Sequence, residues 1–545
     1  MKNRTLPLII GIIAAYAFLL FRISELQLEK NGYYIARAES EQSASAGTTL
    51  NRGAIYFTNT DGTMLPVAID KDFPTIYAVP TAIADVDEAA NTLAPILNLP
   101  VSQLQATLSK HDSYELLAAK ADPSIASDVS ALNLPGIYVQ DEPARYYPLN
   151  TIAAQVLGFV GPNASSNGES GHYGIEAYDD AALENGDDIA LTIDPNIQIE
   201  SEKILQNLVA ANSASGGSVI VEDPKTGKIL AMAGYPTFDP NNYASSSFEN
   251  FLNPTVQSIY EPGSIFKVIT MAAGIDAGKI TPDTTYDDPG TLHVDGAKIT
   301  NYDLDTHGPY GPHTTMTQVI EHSINTGAIY AENQIGNAVF EDYMKKFRID
   351  QPTGIDLPGE VNGTINGLTA NAPQVNFDTV AYGQGVAVTP IELITAMGAI
   401  ANGGIMMRPY IHANLSPQTV GRIIATSSAA EATQMMVDAV DLAQVANING
   451  YSLAGKTGSA FIPDLVHGGY TNQLIDSYIG FGPTSDPRFI ALIRLNTLPE
   501  TALAAQSVVP AFKQLSQYII NYYNIPPDRT TADVIPNCPD LICGK

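Results

Sequence analysis

Ser264 and Lys267 are the residues of this chain whose types and spacing most directly imply chemistry. They interrupt EPGSIFKVITMAAGIDAG, residues 261–278, a segment otherwise almost wholly apolar after Pro262 and Gly263. A serine hydroxyl is a weak nucleophile until a base takes its proton. A lysine held among apolar residues is pushed toward its neutral form and becomes a base. At positions i and i+3 of a helix the two side chains share a face, with Cβ atoms about 5–6 Å apart. The duller alternative is a capping serine beside a lysine that reaches for solvent. S-x-x-K occurs nowhere else in the chain, and the catalytic reading is the one adopted.

Two further groups could serve such a pair. Ser323 and Asn325 stand as S-I-N in EHSINTGAIYAENQIG, where Ser323 would otherwise cap the following helix. S-x-N is common, and the S-S-N at 165–167 reads as a loop. The second group is AGKTGSAF, residues 454–461. Small residues at Ala454, Gly455, Gly458 and Ala460 would let a strand edge approach a ligand closely, with Lys456 adding a fixed positive charge. Another K-T-G, Lys225 to Gly227, sits in a D-P-K-T-G turn between two apolar runs and reads as a hairpin.

Residues 450–457, GYSLAGKT, also match the phosphate-cradling loop G-x-x-x-x-G-K-T. That loop needs a buried strand before it and a helix after it. Here DLAQVANIN precedes it, a polar mixture, and GSAFIP follows, which is poor helix material. The match is therefore read as coincidental, and no nucleotide is expected.

The elements that must position these residues follow from pattern. SIFKVITMAAGI reads as a helix buried on all sides. Pro195 and Asn196 open an amphipathic helix with Ile197, Ile204, Leu205 and Leu208 on one stripe. Residues 51–193 mix short apolar runs with Gly, Pro, Asn and Asp turns and read as an irregular α+β module. Residues 24–50 read as a helical stem ending in a Ser/Ala/Gly linker. At the N-terminus, Leu6 to Phe21 carry no charge and Lys2 and Arg4 precede them. The sequence that follows, FRISELQLEKNGYY, offers no small-x-small cleavage site. The segment 6–23 is read as an uncleaved membrane anchor, with residues 1–5 cytoplasmic and the rest outside the cytoplasm.

The formal net charge of −30 argues against a nucleic-acid partner. Cys538 and Cys543 are too few for a four-ligand zinc site, and either a small disulfide or two free thiols is compatible with them. Neither H-E-x-x-H nor C-x-x-C occurs, so no metal and no cofactor is expected.

S-x-x-K, S-x-N and K-T-G in this order are the set found in penicillin-binding proteins and class A β-lactamases. The chain resembles the class B, monofunctional penicillin-binding proteins, the D,D-transpeptidases of peptidoglycan synthesis. The likeness runs from the anchor to about residue 525. RYYPLNTIAAQVLGFVG, GIEAYDDAAL, LTIDPNIQ, VEDPKTGKILAMAGYPTFDPN, TGIDLPGE and AYGQGVAVTPIELITAMGAIANGG are all similar to that family's landmarks. Two departures stand out. The family's K-T-G is usually followed by Thr, here Ser459, and its R-G-x-I-x-D-R appears as RGAIYFT, with Phe57 and Thr58 in place of Asp-Arg. Neither a glycosyltransferase block before the pedestal nor repeat modules after the catalytic domain are expected.

The resemblance implies an α+β fold: an antiparallel sheet flanked by helices (194–525), on an elongated stem and pedestal (24–193), with a tail at 526–545. It implies that Ser264 attacks the D-Ala–D-Ala carbonyl of a stem peptide and that Lys267 takes its proton. Ser323 and Asn325 would pass the proton to the leaving D-Ala and orient Lys267. Lys456, Thr457 and Ser459 would hold the terminal carboxylate, with Gly458 between them. The backbone N–H groups of Ser264 and Ser459 would form the oxyanion hole. β-Lactams would acylate Ser264, and a multispanning glycosyltransferase is the implied partner. A D,D-carboxypeptidase or β-lactamase-like hydrolase and a non-catalytic scaffold of the wall-synthesis complex are the alternatives.

Overall fold

The computed structural model describes residues 52–163, 168–464, 466–499 and 503–529. The anchor at 6–23, the stem to residue 50, the S-S-N at 165–167, Cys538 and Cys543 lie outside them. Among the described residues no helix is long and apolar enough to cross a membrane.

The N-terminal part is an α+β module built on one long strand. Its sheet contains β1 (Ile55–Thr58), β2 (Met64–Ala78), β3 (Glu115–Ala118), β4 (Ile137–Tyr146) and β5 (Ile189–Leu191). β2 pairs antiparallel with β1 at its start and with both β3 and β4 toward its end, and β1 pairs in parallel with β5. Along β1, Ile55 and Phe57 are buried while Tyr56 and Thr58 are half-buried. Phe57, one of the two departures noted in the sequence, is thus a core residue. Helices α1 (Val86–Leu97), α2 (Val101–Leu108) and α3 (Pro123–Ala131) cover the far end of β2, around Ile76, Leu93, Leu104 and Val129. The RYYP and GIEAYDDAAL landmarks meet in a buried charge cluster. Glu176, fully buried, accepts from Arg145 Nε and Arg52 Nε, both at 2.7 Å, and from Tyr147 Oη at 3.1 Å.

The C-terminal part begins with α4 (Pro195–Asn212), whose start is capped by Asp194 accepting from the Asn196 and Ile197 amides. Its expected stripe, Ile197, Ile204, Leu205 and Leu208, is buried. The expected hairpin forms from β6 (Gly216–Asp223) and β7 (Lys228–Tyr235), with the Lys225–Gly227 tripeptide in its turn. Helices α5 (Phe266–Asp276), α6 (Asn325–Ile335), α7 (Gln374–Val380), α8 (Pro390–Ala401) and α9 (Thr426–Ala443) follow. β8 (Ala454–Pro463), β9 (Tyr470–Gly482) and β10 (Phe489–Pro499) then join the hairpin in an antiparallel sheet of order β8-β9-β10-β6-β7, and α10 (Val508–Tyr522) ends the domain.

Side chains alternate across this sheet. Ile490 and Leu492 of β10 face the layer of α5, α8 and α9, while Phe489, Ala491 and Ile493 face α4 and α10. The sheet is therefore covered by helices on both faces. α5 and α8 are each enclosed and largely apolar: all residues of α8 and Phe266 to Ile275 of α5 are buried, with Lys267 and Glu392 as charged exceptions. His412 joins the two parts of the chain. Its Nδ1 contacts Asp356 and its Nε2 lies 2.7 Å from Asp179 Oδ2.

Candidate active site

Ser264 lies in a tight turn, Gly263–Ile265, that runs directly into α5. Gly263 has φ +56°, and a Cβ there would stand 2.6 Å from Ser459 O and 3.3 Å from Ser459 N. Only glycine fits that conformation and that approach. The Ser264 side chain caps nothing, and its hydroxyl makes no hydrogen bond among the described residues.

Lys267 is one turn further on, on a helix buried all round, and is itself 0% exposed. It does not reach solvent. Its Nζ donates to the Ser323 carbonyl, and to Ser323 Oγ at 3.2 Å. Burial, and then the nearby Lys456 charge, hold its ammonium well below the ordinary lysine range; Asp303 opposes this. Ser323 does not cap α6, whose capping position is Ile324. It adopts φ +57°, a conformation costing a non-glycine residue on the order of 1 kcal/mol or more. In that conformation its hydroxyl faces the lysines. Asn325, the first residue of α6, donates through Nδ2 to Thr300 O at 2.8 Å.

Lys456 comes from β8, the edge strand of the sheet. Only 4% exposed, it donates to the same Ser323 Oγ at 3.0 Å, and burial pushes its pKa down to about 7. Its Nζ is also 3.3 Å from Thr457 Oγ1. Ser323 thus accepts from both lysines. A hydroxyl with its lone pairs engaged keeps its own proton to donate elsewhere. Gly455, Lys456 and Thr457 lie within a strand that follows a turn after α9, so the Walker-like match at Gly450 has neither the strand before it nor the helix after it.

The small residues of β8 have close neighbours within the protein itself. A Cβ on Gly458 would stand 2.5 Å from Pro262 O, and one on Gly455 would stand 2.0 Å from Tyr478 Oη. Ala454 and Ala460 are buried. These residues let the strand seat against the Ser264 turn and its own sheet.

The Y-G-Q-G loop, residues 382–385, packs against the serine turn. Gly383 O accepts from Gly263 N at 3.0 Å, and a Cβ on Gly383 would meet Gly263 O at 2.1 Å. Glu261 went unnoticed. It accepts from Gly385 N at 3.1 Å and from Tyr470 Oη at 3.0 Å, tying the 382–385 loop and the β8–β9 hairpin to the serine turn. Nothing local marks that pairing, since Glu261 and Tyr470 are 209 residues apart. Asp476 also went unnoticed, although an acid inside the apolar stretch LIDSYIGFG was a usable signal. It is fully buried and accepts from Ser459 Oγ at 2.6 Å. Among the described residues no group of three His, Cys, Asp or Glu is arranged to hold a metal.

The assembled site holds a serine at the mouth, a buried lysine depressed toward neutrality, a bridging hydroxyl and a second lysine. That set can acylate and deacylate a serine beside a bound anion. Comparison with known proteins agrees. Residues 217–517 match the penicillin binding protein transpeptidase domain, and residues 48–189 match the penicillin-binding protein dimerisation domain. The chain is 31% identical over 479 residues to stage V sporulation protein D of Bacillus subtilis, covering 79% of this chain and 72% of that one. It is 27% identical over 562 residues to the peptidoglycan D,D-transpeptidase FtsI of Escherichia coli, covering 96% and 92%. The crystal structure of penicillin binding protein 2X from Streptococcus thermophilus has the same fold, with a TM-score of 0.70 at 21% identity over 86% of this chain and 79% of that one.

Proposed function

The chain belongs to the penicillin-binding protein transpeptidase family, and from that premise we propose how its residues divide the work. The protein is a serine D-Ala–D-Ala transpeptidase of peptidoglycan synthesis, of the class B kind. Ser264 is the nucleophile. Lys267, kept near neutrality by burial, takes the Ser264 proton as the hydroxyl attacks the penultimate D-Ala carbonyl. The oxyanion forms against the backbone N–H groups of Ser264 and Ser459. Ser323, accepting from both lysines, donates its own proton to the departing D-Ala amine and recovers one from Lys267. Asn325, held by Thr300, lines the same side and orients substrate. Lys456, Thr457 and Ser459 hold the substrate's terminal carboxylate, a charge-assisted contact; Gly458 lets their strand close on the serine turn. The amine of a neighbouring stem peptide then takes the acyl group and closes the cross-link.

The observation that carries this reading is the meeting of Lys267 and Lys456 on one hydroxyl, Ser323 Oγ, at 3.2 and 3.0 Å. We also read residues 6–23 as the membrane anchor, 24–193 as stem and pedestal and 194–525 as the catalytic domain, with a multispanning glycosyltransferase as partner. The test is labelling by a fluorescent penicillin of wild type and of Ser264→Ala. A stable label on wild type alone is expected. A label lost within seconds would mean a hydrolase, and no label on folded wild type would leave the scaffold reading.

A further inference from the structure

Asp476 sits on β9 directly opposite Ser459 of β8. It is fully buried, at 0% exposure, whereas Ser459 is exposed. Its carboxylate has two partners. Oδ1 accepts from Ser459 Oγ at 2.6 Å, and Oδ2 accepts from Ser507 Oγ, at the start of α10, at 3.2 Å. Across β9 its neighbour on β10 is Leu495. Among the described residues no cation pairs with it, and no other titratable group faces it from β8, β10 or α10. Its two hydrogen bonds tie β8 to the start of α10, but they do so through a carboxylate buried without a counter-ion and paired directly with the strand assigned to the substrate's carboxylate.

We propose that Asp476 is a positioning residue that decides where the Ser459 hydroxyl donates its proton, and thereby how tightly the site holds a substrate carboxylate. The proposal rests on the reading of Lys456, Thr457 and Ser459 as the carboxylate subsite. Ser459 has one proton to give. With Asp476 ionised, that proton is committed inward and Ser459 presents lone pairs to the subsite. An arriving carboxylate then meets an acceptor where it needs a donor. With Asp476 protonated, its own O–H satisfies Ser459 Oγ, and the Ser459 hydroxyl turns outward to donate to the carboxylate. No covalent bond changes; one proton from solvent is taken up on Asp476. Burial raises the Asp476 pKa above the ordinary carboxylate range against the pull of the Ser459 and Ser507 hydrogen bonds. A bound substrate carboxylate, a second negative charge close by, favours the protonated form further. Substrate binding and proton uptake at Asp476 are coupled.

The test compares acylation of the full-length protein by benzylpenicillin and by its methyl ester, over the pH range in which aspartate and lysine titrate. The ratio of the two second-order rates is the carboxylate preference. In wild type it falls in two steps as pH rises: an acid step from Asp476, then a step near 7 from Lys456. Asp476→Ala loses the acid step and keeps the high preference until the Lys456 step. Asp476→Asn, which preserves shape if the alanine variant misfolds, also loses the acid step. Ser459→Ala loses it too, but with the preference roughly tenfold lower, the worth of a hydrogen bond to a charged group. An acid step that persists in Asp476 variants melting like wild type overturns the proposal and leaves the subsite reading standing. A preference unaltered by Ser459→Ala at every pH overturns the subsite reading, and the proposal with it.

Discussion

Gly458→Ala tests the dimension of the active site. The Gly458 φ lies outside the left-handed region, so the contacts of the new methyl group decide the outcome. That methyl would stand 2.5 Å from Pro262 O, 2.7 Å from Ser477 Oγ and 3.1 Å from Ile265 Cγ1. The first contact is with backbone, two residues before Ser264, and cannot be relieved by a rotamer change. An ordinary C···O approach is about 3.3 Å, so β8 must retreat from the serine turn by roughly 0.8 Å. Lys456 travels with β8. Its 3.0 Å hydrogen bond to Ser323 Oγ would lengthen to about 3.8 Å, outside bonding range. Misplacement of this size at a reacting centre lowers rate by roughly 100-fold. The cost in stability is about 1–3 kcal/mol, as for overpacking elsewhere, so the domain remains folded. The assay is the second-order rate of acylation by a fluorescent penicillin, with the melting temperature measured alongside. Gly421→Ala, where a Cβ meets nothing within 4 Å, is the control and is expected to change neither. Acylation by Gly458→Ala within about threefold of wild type, at an unchanged melting temperature, would refute the argument: the strand would then be holding its distance by some other contact.

Three further outcomes follow from buried charge. Lys267→Met removes the base and should lower acylation by roughly 10²–10⁴-fold while leaving the melting temperature equal to or above wild type, since a buried lysine is costly to hold; a large drop in melting temperature would mean that its bonds to Ser323 carry the fold. Arg145→Ala deprives buried Glu176 of one of its two guanidinium partners and should destabilise the protein by about 3 kcal/mol, read in denaturant titration; a loss under about 1 kcal/mol would refute the claim that this cluster is tightly balanced. Burial alone would lower the His412 pKa, but Asp179 and Asp356 raise it to about 9. A raised histidine stabilises the fold fully below its unfolded pKa, near 6.5, and ceases to do so as pH rises through about 9. Wild type should therefore lose roughly 3 kcal/mol across that alkaline interval relative to His412→Gln, and parallel melting curves for the two would contradict it.

Much of the site is written locally. Ser264 and Lys267 share a turn, so their spacing is set by helix geometry, and the apolar run around them announces that the helix is enclosed. The amphipathic stripe of α4 and the β6–β7 hairpin rest equally on signals a few residues long. The contacts of Gly455 with Tyr478 and of Gly458 with Pro262 were not legible, because a glycine states that something comes close without stating what. Glu261, Tyr470 and Gly385 were illegible for the same reason: each is an unremarkable residue until the chain brings the others to it. The acid at Asp476 was visible against its apolar neighbours, but its partner Ser459 is fixed only by the β8–β9 register.

By itself the sequence determined the order of the motifs, the elements that carry them, the family and the chemistry the family performs, because periodicity, turn residues and motif spacing are short-range properties. Only the tertiary structure decided that Lys267 and Lys456 converge on one hydroxyl, reaching it from 56 and 133 residues away along the chain. That convergence is set by how the edge of a five-stranded sheet packs beside a buried helix. The lysines owe their lowered pKa values to the desolvation that this packing imposes, which no single stretch of the chain can create alone.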